Sequence, residues 1–397
     1  MAQYELTEEQ KMLRTAVRDW AEKELPEGIQ ARDEIGDYVK AGGPEIVRKL
    51  AEQGFLAPDF PAEYGGSEMG MLSEIIVIEE LARVEATTGL MPADNALGSL
   101  PIILTHDNKA VRDKYLPRLC SGEWTCAHGL TETSGGSDVA GFTTRAERKG
   151  DEYIINGNKI FITMGGVWPL TCLYCITDPE KGAYRGSSMI AVEWGTKGFT
   201  AGKHENKMGV RWSDTSELIF DNCHVPAENL CGQEGQGWAI EMMTLDLTRP
   251  AVAAMSQGIG QGAFDYALGY AKERIVFGKP ILNHEALAFK LVDMLIEIEA
   301  SRELLYKACC VIGQYPKDVT KRLPPEAVRY SSMCKIFTTD MGMRVSTEAV
   351  QVVGGYGFCK DYPVEIRMRD NKIQQIWEGT NEINRIVVAG TIGAKGL

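Results

Sequence analysis

From Leu6 to about Glu123 the apolar residues recur at helical spacing, as in Glu74 to Ala86 (EIIVIEELARVEA) and Lys109 to Gly122 (KAVRDKYLPRLCSG). Turn-rich connectors such as Ala57 to Gly66 (APDFPAEYGG) separate these runs. Thr7 followed by Glu8, Glu9 and Gln10 predicts an N-cap and capping box for the first helix. From about Trp124 to Gly235 the period changes. Short strand-like runs appear at Glu152 to Thr163, Leu170 to Thr177, Ser187 to Trp194 and Ser216 to Val225, parted by Gly, Asp and Asn. Helical spacing returns near Gly237 in two long runs, Trp238 to Ile275 and Glu285 to Ile312, of a length that packs side by side in a bundle. The expected architecture is α+β in three parts: a helical domain over 1–123, a mostly antiparallel β domain over 124–236 and a helical bundle over 237–397.

Composition alters this picture little. The chain has 397 residues, 44% hydrophobic and 24% charged, the balance of an ordinary globular enzyme. No stretch approaches the roughly 18 uninterrupted apolar residues of a membrane span. The net charge of −13, from 55 acidic against 42 basic residues, argues against nucleic acid as a partner. It leaves room for a phosphorylated small molecule at a local basic site. The N-terminal run carries neither the basic and apolar regions of a signal peptide nor the Arg/Ser-rich bias of a transit peptide. A cytoplasmic protein is expected, or one whose leader has been removed. The ten cysteines are scattered. Cys172 and Cys175 make a C-x-x-C inside an apolar strand-like run with no second pair at zinc spacing, so they read as packed thiols, as do Cys309 and Cys310.

Three segments carry candidate chemistry. Gly129 to Gly141 (GLTETSGGSDVAG) sets Thr131, Thr133, Ser134 and Ser137 around Gly135 and Gly136. Such a loop presents hydroxyls and backbone N–H groups to a polar, flat or anionic ligand, or is a polar turn. Gln351 to Asp370 (QVVGGYGFCKDYPVEIRMRD) contains Gly354, Gly355 and Gly357, which permit close backbone approach, or mark a helix–helix turn. In Ile373 to Gly390 (IQQIWEGTNEINRIVVAG), Glu378 lies between Trp377 and Gly379. A carboxylate in an apolar, aromatic setting has a raised pKa and suits general-base work. The alternative is a helix N-terminal Glu facing the dipole.

Taken in this order and spacing, the three segments resemble the acyl-CoA dehydrogenase family across almost the whole chain, most closely its short- and medium-chain members. The resemblance implies an N-terminal all-α domain, a middle antiparallel β domain and a C-terminal four-helix bundle, with FAD held between the last two. By similarity His128, Leu130, Thr131, Gly136 and Ser137 line the flavin, and Phe161 with Thr163 covers its other side. Arg274 and Phe277, in ERIVFG, match the run that reaches the FAD diphosphate, followed by His284; Glu285 stands where the family usually has Gln. Gln351, Gly354 and Gly355 would hold the adenosine end across a subunit interface, with Thr380 and Asn381 near the cofactor. Ser137 and the DLTR run from Asp246 to Arg249 match CoA contacts, and Gly379 neighbours the thioester. Leu90, Ala93 and Trp377 fall in the acyl pocket.

The implied reaction is α,β-dehydrogenation of an acyl-CoA to the trans-2-enoyl-CoA. Glu378 takes the α proton, flavin N5 accepts the β hydride, and electron-transferring flavoprotein is the implied acceptor of a homotetramer. In another branch of the family the base sits just before the DLTR-like Arg; here that position is Thr248. Gly89 and Ala93 are small and Pro92 is expected to disturb its helix, which points to a reshaped pocket for branched, cyclic or aromatic acyl groups. The competing readings are an oxidase of the same fold using O₂ and a non-catalytic scaffold homologue. Nitroalkane oxidation on this fold uses an Asp base, which Glu378 disfavours.

Overall fold

The computed structural model describes residues 5–393, so the first four residues of the N-terminal run and the last four of the chain lie outside it. Helix α1 (Glu8–Glu24) starts on the expected capping box: Thr7 N donates to Gln10 Oε1 at 3.1 Å and Gln10 N to Thr7 Oγ1 at 3.2 Å. The helical part continues with α2 (Ile29–Ile35), α3 (Gly43–Glu52), α4 (Met71–Val84), α5 (Ala86–Ile103) and α6 (Lys109–Ser121).

One helical run is cornered and one sequence expectation fails here, each for a physical reason. The helical period over Glu74 to Ala86 does not run unbroken. Glu85 is extended, with φ −147° and ψ 117°. Its buried carboxylate accepts from Arg32 Nε at 2.8 Å and Thr88 Oγ1 at 2.6 Å, which fixes a corner between α4 and α5. Nor does Pro92 interrupt α5, which runs through both Pro92 and Pro101. An interior proline costs about 3 kcal/mol of helix. Every residue of α5 except Leu97 is buried, so burial on all sides outweighs that loss.

The middle of the chain forms one eight-stranded sheet. Its strands are β1 (Cys126–Gly129), β2 (Arg145–Lys149), β3 (Glu152–Thr163), β4 (Leu170–Ile176), β5 (Ser187–Glu193), β6 (Phe199–His204), β7 (Thr215–Pro226) and β8 (Leu230–Cys231), with the short α7 (Gly182–Gly186) between β4 and β5. The spatial order is β6-β7-β3-β2-β4-β5-β8, with β1 added on β4. Pairing is antiparallel except where β1 and a single residue pair of β2 run parallel to β4. Cys172 and Cys175, three apart on β4, are buried on opposite faces as free thiols, and burial pushes the Cys175 thiol up to about 12.

The C-terminal bundle has three long helices: α8 (Gly237–Glu273), α9 (Glu285–Ile312) and α10 (Pro325–Val353). The β9 (Ile275–Val276) and β10 (Lys279–Pro280) hairpin follows α8. The shorter α11 (Val364–Lys372) and α12 (Asn381–Thr391) close the bundle against α10. Helix α5 is the link between layers. Its Asn95 Oδ1 accepts from Cys126 N of β1 at 3.1 Å, and its opposite side lies on α4 and α8. Gly98 lets α5 press onto β1, since a Cβ there would sit 2.0 Å from Cys126 O. Among the described residues no helix is long and apolar enough to cross a membrane.

Candidate active site

The turn between α11 and α12 is strained where the chemistry is expected. Glu378 has φ +50° and Gly379 φ +86°, two left-handed residues in succession. Neighbouring side chains hold the turn by its carbonyls. Arg249 Nε donates to Glu378 O at 3.3 Å. Lys335 Nζ and Asn384 Nδ2 donate to Gly379 O at 2.9 and 2.7 Å. Thr380 then caps α12, its Oγ1 accepting from Ile383 N at 3.2 Å. Asn381 is tied into the bundle, with Oδ1 2.9 Å from Lys335 Nζ and Nδ2 2.9 Å from Thr339 Oγ1.

This geometry sends the Glu378 side chain to α8 and not to the α12 N-terminus, whose first turn carries Glu382 instead. Glu378 Oε2 lies 2.6 Å from Thr248 Oγ1, which is also 3.0 Å from Thr244 O. One hydroxyl proton serves one acceptor at a time. An ionised Glu378 therefore accepts from Thr248; a protonated one donates to Thr248, which turns its own proton to Thr244 O. Both states are accommodated. Burial holds the Glu378 carboxyl above its ordinary range, against the downward pull of Thr248, Arg249, His128 and Lys335. Among the described residues the Glu378 N–H meets no backbone acceptor.

The surroundings are more polar than a hydrocarbon slot. Asp94, the single charge in the 18-residue α5, is buried with Oδ2 unpartnered. Burial first, and the charge of Glu378 second, hold its carboxyl well above the usual range. His128 on β1 places Nε2 2.9 Å from Glu241 Oε2 of α8. Arg249, itself buried, pairs with Asp246 at 2.5 Å, while burial raises the Asp246 carboxyl to about 6. Burial pulls the Lys335 ammonium down to about 7. Leu90 and Ala93 are buried on α5. Trp377 Nε1 donates to Gln374 Oε1 at 3.1 Å. Gly89 proves to be no part of the pocket wall: a Cβ on it would lie 2.8 Å from Ala82 Cβ, so its smallness serves the α4–α5 corner.

The Thr131 to Ser137 loop is anchored below and open above. Ile160 N donates to Thr131 O at 2.9 Å, and Lys159 Nζ reaches Leu130 O at 2.9 Å and Glu132 Oε1 at 2.8 Å. Against the upward push of burial, Lys159 and the Thr143 and Thr144 N–H groups hold the Glu132 carboxyl down to about 2. Ser137 is exposed and a Cβ on Gly136 would meet nothing closer than 3.6 Å. A register shift in β3 between Lys159 and Ile162 turns Phe161 outward. Phe161 has φ +57° and is 59% exposed beside a buried Ile162 and a half-buried Thr163.

A second set of sequence-flagged residues gathers elsewhere. Arg274 follows α8 and lies over the Tyr356 ring at 5.7 Å, which joins the β9–β10 hairpin to the turn of Gly354 and Gly355. His284 Nε2 lies 3.0 Å from Val276 O, Phe277 is 93% exposed, and Gln351 is exposed on the last turn of α10. Along α8, at about 1.5 Å per residue, Arg274 is roughly 39 Å from Thr248. One protomer does not bring the two sets together.

Sequence reasoning missed Lys335, Asn384, Glu241 and Asp94. Only Asp94 had a readable signal, as a lone acid in an otherwise uncharged apolar helix.

Three family models cover the chain in order: the acyl-CoA dehydrogenase N-terminal domain over 7–123, middle domain over 127–223 and C-terminal domain over 235–393. A cyclohex-1-ene-1-carbonyl-CoA dehydrogenase from Geobacter metallireducens is 44% identical over 385 residues, 96% of this chain and 97% of its own. The butyryl-CoA dehydrogenase structure from Megasphaera elsdenii matches with a TM-score of 0.91 at 39% identity, over 98% of this chain and 99% of that one. A chain in a structure of the electron transferring flavoprotein of Acidaminococcus fermentans matches with a TM-score of 0.92 at 40% identity, over 99% and 100%. Full-length agreement in domain order, backbone and sequence establishes that this chain belongs to the acyl-CoA dehydrogenase family of flavin-linked oxidoreductases.

Proposed function

We propose that the chain converts an acyl-CoA thioester to its trans-2-enoyl product and that Glu378 is the base for the α proton. One observation carries this reading: a carboxyl raised by burial sits on a turn whose own N–H is unspent. The α C–H of a thioester is a weak acid, so the enolate-like charge on the carbonyl oxygen needs a donor in place. The Glu378 N–H supplies it from the residue that takes the proton. Arg249, Lys335 and Asn384 keep that N–H aimed by gripping the two carbonyls that follow it, Glu378 O and Gly379 O.

The residues present fit FAD. An open loop of hydroxyls and glycines at Leu130, Thr131, Gly136 and Ser137 beside the unburied Phe161 ring and Thr163 suits a flat heteroaromatic edge and face, with His128 beneath. Arg274, Phe277, His284, Gln351, Gly354 and Gly355, with Thr380 and Asn381, would hold the remainder. A bound flavin supplies the acceptor for the β hydride. Ser137, Asp246, Arg249 and Gly379 are assigned to the CoA thioester. Leu90, Ala93 and Trp377 are assigned to the acyl group. The Geobacter relative's name supports a cyclic acyl group, and the Acidaminococcus likeness supports electron-transferring flavoprotein as acceptor. A cytoplasmic homotetramer completes the proposal.

The test is anaerobic bleaching of the bound flavin by butyryl-CoA and cyclohexanecarbonyl-CoA, in the parent and in Glu378→Gln. The parent should bleach. The variant should stay yellow, bind CoA thioesters and react about 10³-fold more slowly. Parent-like turnover by a folded, flavin-loaded Glu378→Gln would end the assignment.

A further inference from the structure

Three side chains hold the strained turn of Glu378 and Gly379, and they differ in one respect. Arg249 keeps its charge at any pH the folded chain meets, and Asn384 has none to lose. Lys335 alone can change its charge. It lies on α10, fully buried, with Nζ 2.9 Å from Gly379 O and 2.9 Å from Asn381 Oδ1. Both partners are neutral acceptors, and among the described residues Lys335 makes no ion pair. Asn381 passes the link on to Thr339 and Asp340 of the same helix at 2.9 and 2.8 Å. The charged groups facing Lys335 are Glu378 of the turn, Arg249 of α8 with its partner Asp246, Asp340 of α10, and Glu382 and Arg385 of α12.

We propose that Lys335 is a positioning residue through which the reaction depends on a buried ammonium: its charge holds the left-handed turn so that the Glu378 N–H stays on the thioester carbonyl. This rests on the reading that Glu378 is the base. Two left-handed residues in succession are costly backbone that persists only while the surroundings over-determine it. A charged donor binds a carbonyl roughly twice as strongly as a neutral one. The free amine keeps two N–H groups but loses that strength, and its lone pair is left among acceptors. Burial draws the ammonium down to about 7, against the opposing pull of Glu378, Asp340 and Glu382, so the change falls near neutrality. The sign separates it from the base. As pH rises Glu378 loses its proton and becomes competent, whereas Lys335 loses its charge and its hold on the turn.

The experiment uses the flavin-loaded enzyme with butyryl-CoA, following kcat, KM and flavin content across pH. In the parent kcat should fall about tenfold as pH rises through about 7, with KM and flavin content level. Lys335→Arg carries a charge that does not titrate in this range, so from a lower plateau its kcat should stay level where the parent's falls. Lys335→Met should show kcat about tenfold below the parent's maximum and no alkaline limb. Asp340→Asn, outside the turn, removes a carboxylate that favours the ammonium, so the alkaline limb should move to lower pH. A parent without that limb, a Lys335→Arg that keeps it in the parent's place, a Lys335→Met with parental kcat, or an Asp340→Asn limb that stays or rises overturns the role. A limb kept by Lys335→Arg would pass the titration to another buried group, Asp94 first. None of these results touches the dehydrogenase reading while butyryl-CoA bleaches the parent's flavin and Glu378→Gln stays slow. If butyryl-CoA does not bleach the parent, that reading fails and the role of Lys335 fails with it.

Discussion

Thr248 and Glu378 come from segments 130 residues apart and meet at 2.6 Å. The hydroxyl stabilises the ionised form of the carboxyl proposed as the base, which burial alone would push further up. Thr248→Val keeps the shape and removes that donor. The base pKa should then rise, because the charged form loses its partner and keeps its desolvation. Since only ionised Glu378 accepts a proton, the acid limb of kcat against pH should move to higher pH, with severalfold lower kcat on the acid side and little change on the plateau. A limb that stays in place or moves down would show that Thr248 does not set the base. At this scale Trp377 and Gly379 marked Glu378 only as a candidate beside a helix-terminal Glu, and the order of the three segments favoured the base. The side chains that hold its turn were not legible. Lys335 and Asn384 act through side chains on backbone carbonyls, and such pairings across a bundle follow no local spacing.

Elements were legible where one period governed them and not where tertiary burial overruled a local rule. The run Glu285 to Ile312 matches α9 end to end, because an uninterrupted period with no Gly or Pro leaves few alternatives. Helix α5 shows the opposite case. Its prolines argue against a helix, but α4, α8 and β1 enclose it, and losing two backbone bonds costs less than unpacking it. Its fit to the sheet depends on Gly98. A methyl there meets Cys126 O at 2.0 Å, a backbone atom that cannot rotate away. Gly98→Ala should therefore destabilise the protein by about 3 kcal/mol, near the upper end for overpacking, and displace β1 with His128. The readouts are a lower denaturation midpoint at unchanged m-value and weaker flavin retention. The control Gly269→Ala, on α8 with open space at its Cβ, should be neutral or slightly stabilising. Equal behaviour of the two variants would refute this account of the α5–β1 contact.

At the scale of the molecule, the roughly 39 Å between Thr248 and Arg274 along α8 separates the two residue sets proposed to hold one cofactor. A single protomer leaves each half-built, and a second copy that brings its Arg274 and Gln351 end to this Thr131 loop would complete both. The surface near that end fits such a partner. Phe289, Val292 and Ile296 form a stripe on α9 at 59, 51 and 60% exposure, and Phe277 and Phe358 stand out at 93 and 86%. Apolar side chains at i, i+3 and i+7 on an open helix face are what an assembly interface buries. Ile296→Asp separates the possibilities because its effect differs in the two cases. On a free surface the change falls within about 0.5 kcal/mol. At a buried interface it strands a charge without a partner, and the complex loosens. Sedimentation of the parent should give the mass of four chains; Ile296→Asp should shift it to smaller species, with flavin content falling in step as each site loses its neighbour's residues. Flavin retained in full by a dissociated variant would mean that each protomer holds the cofactor alone, and the division of the site between copies would have to be given up.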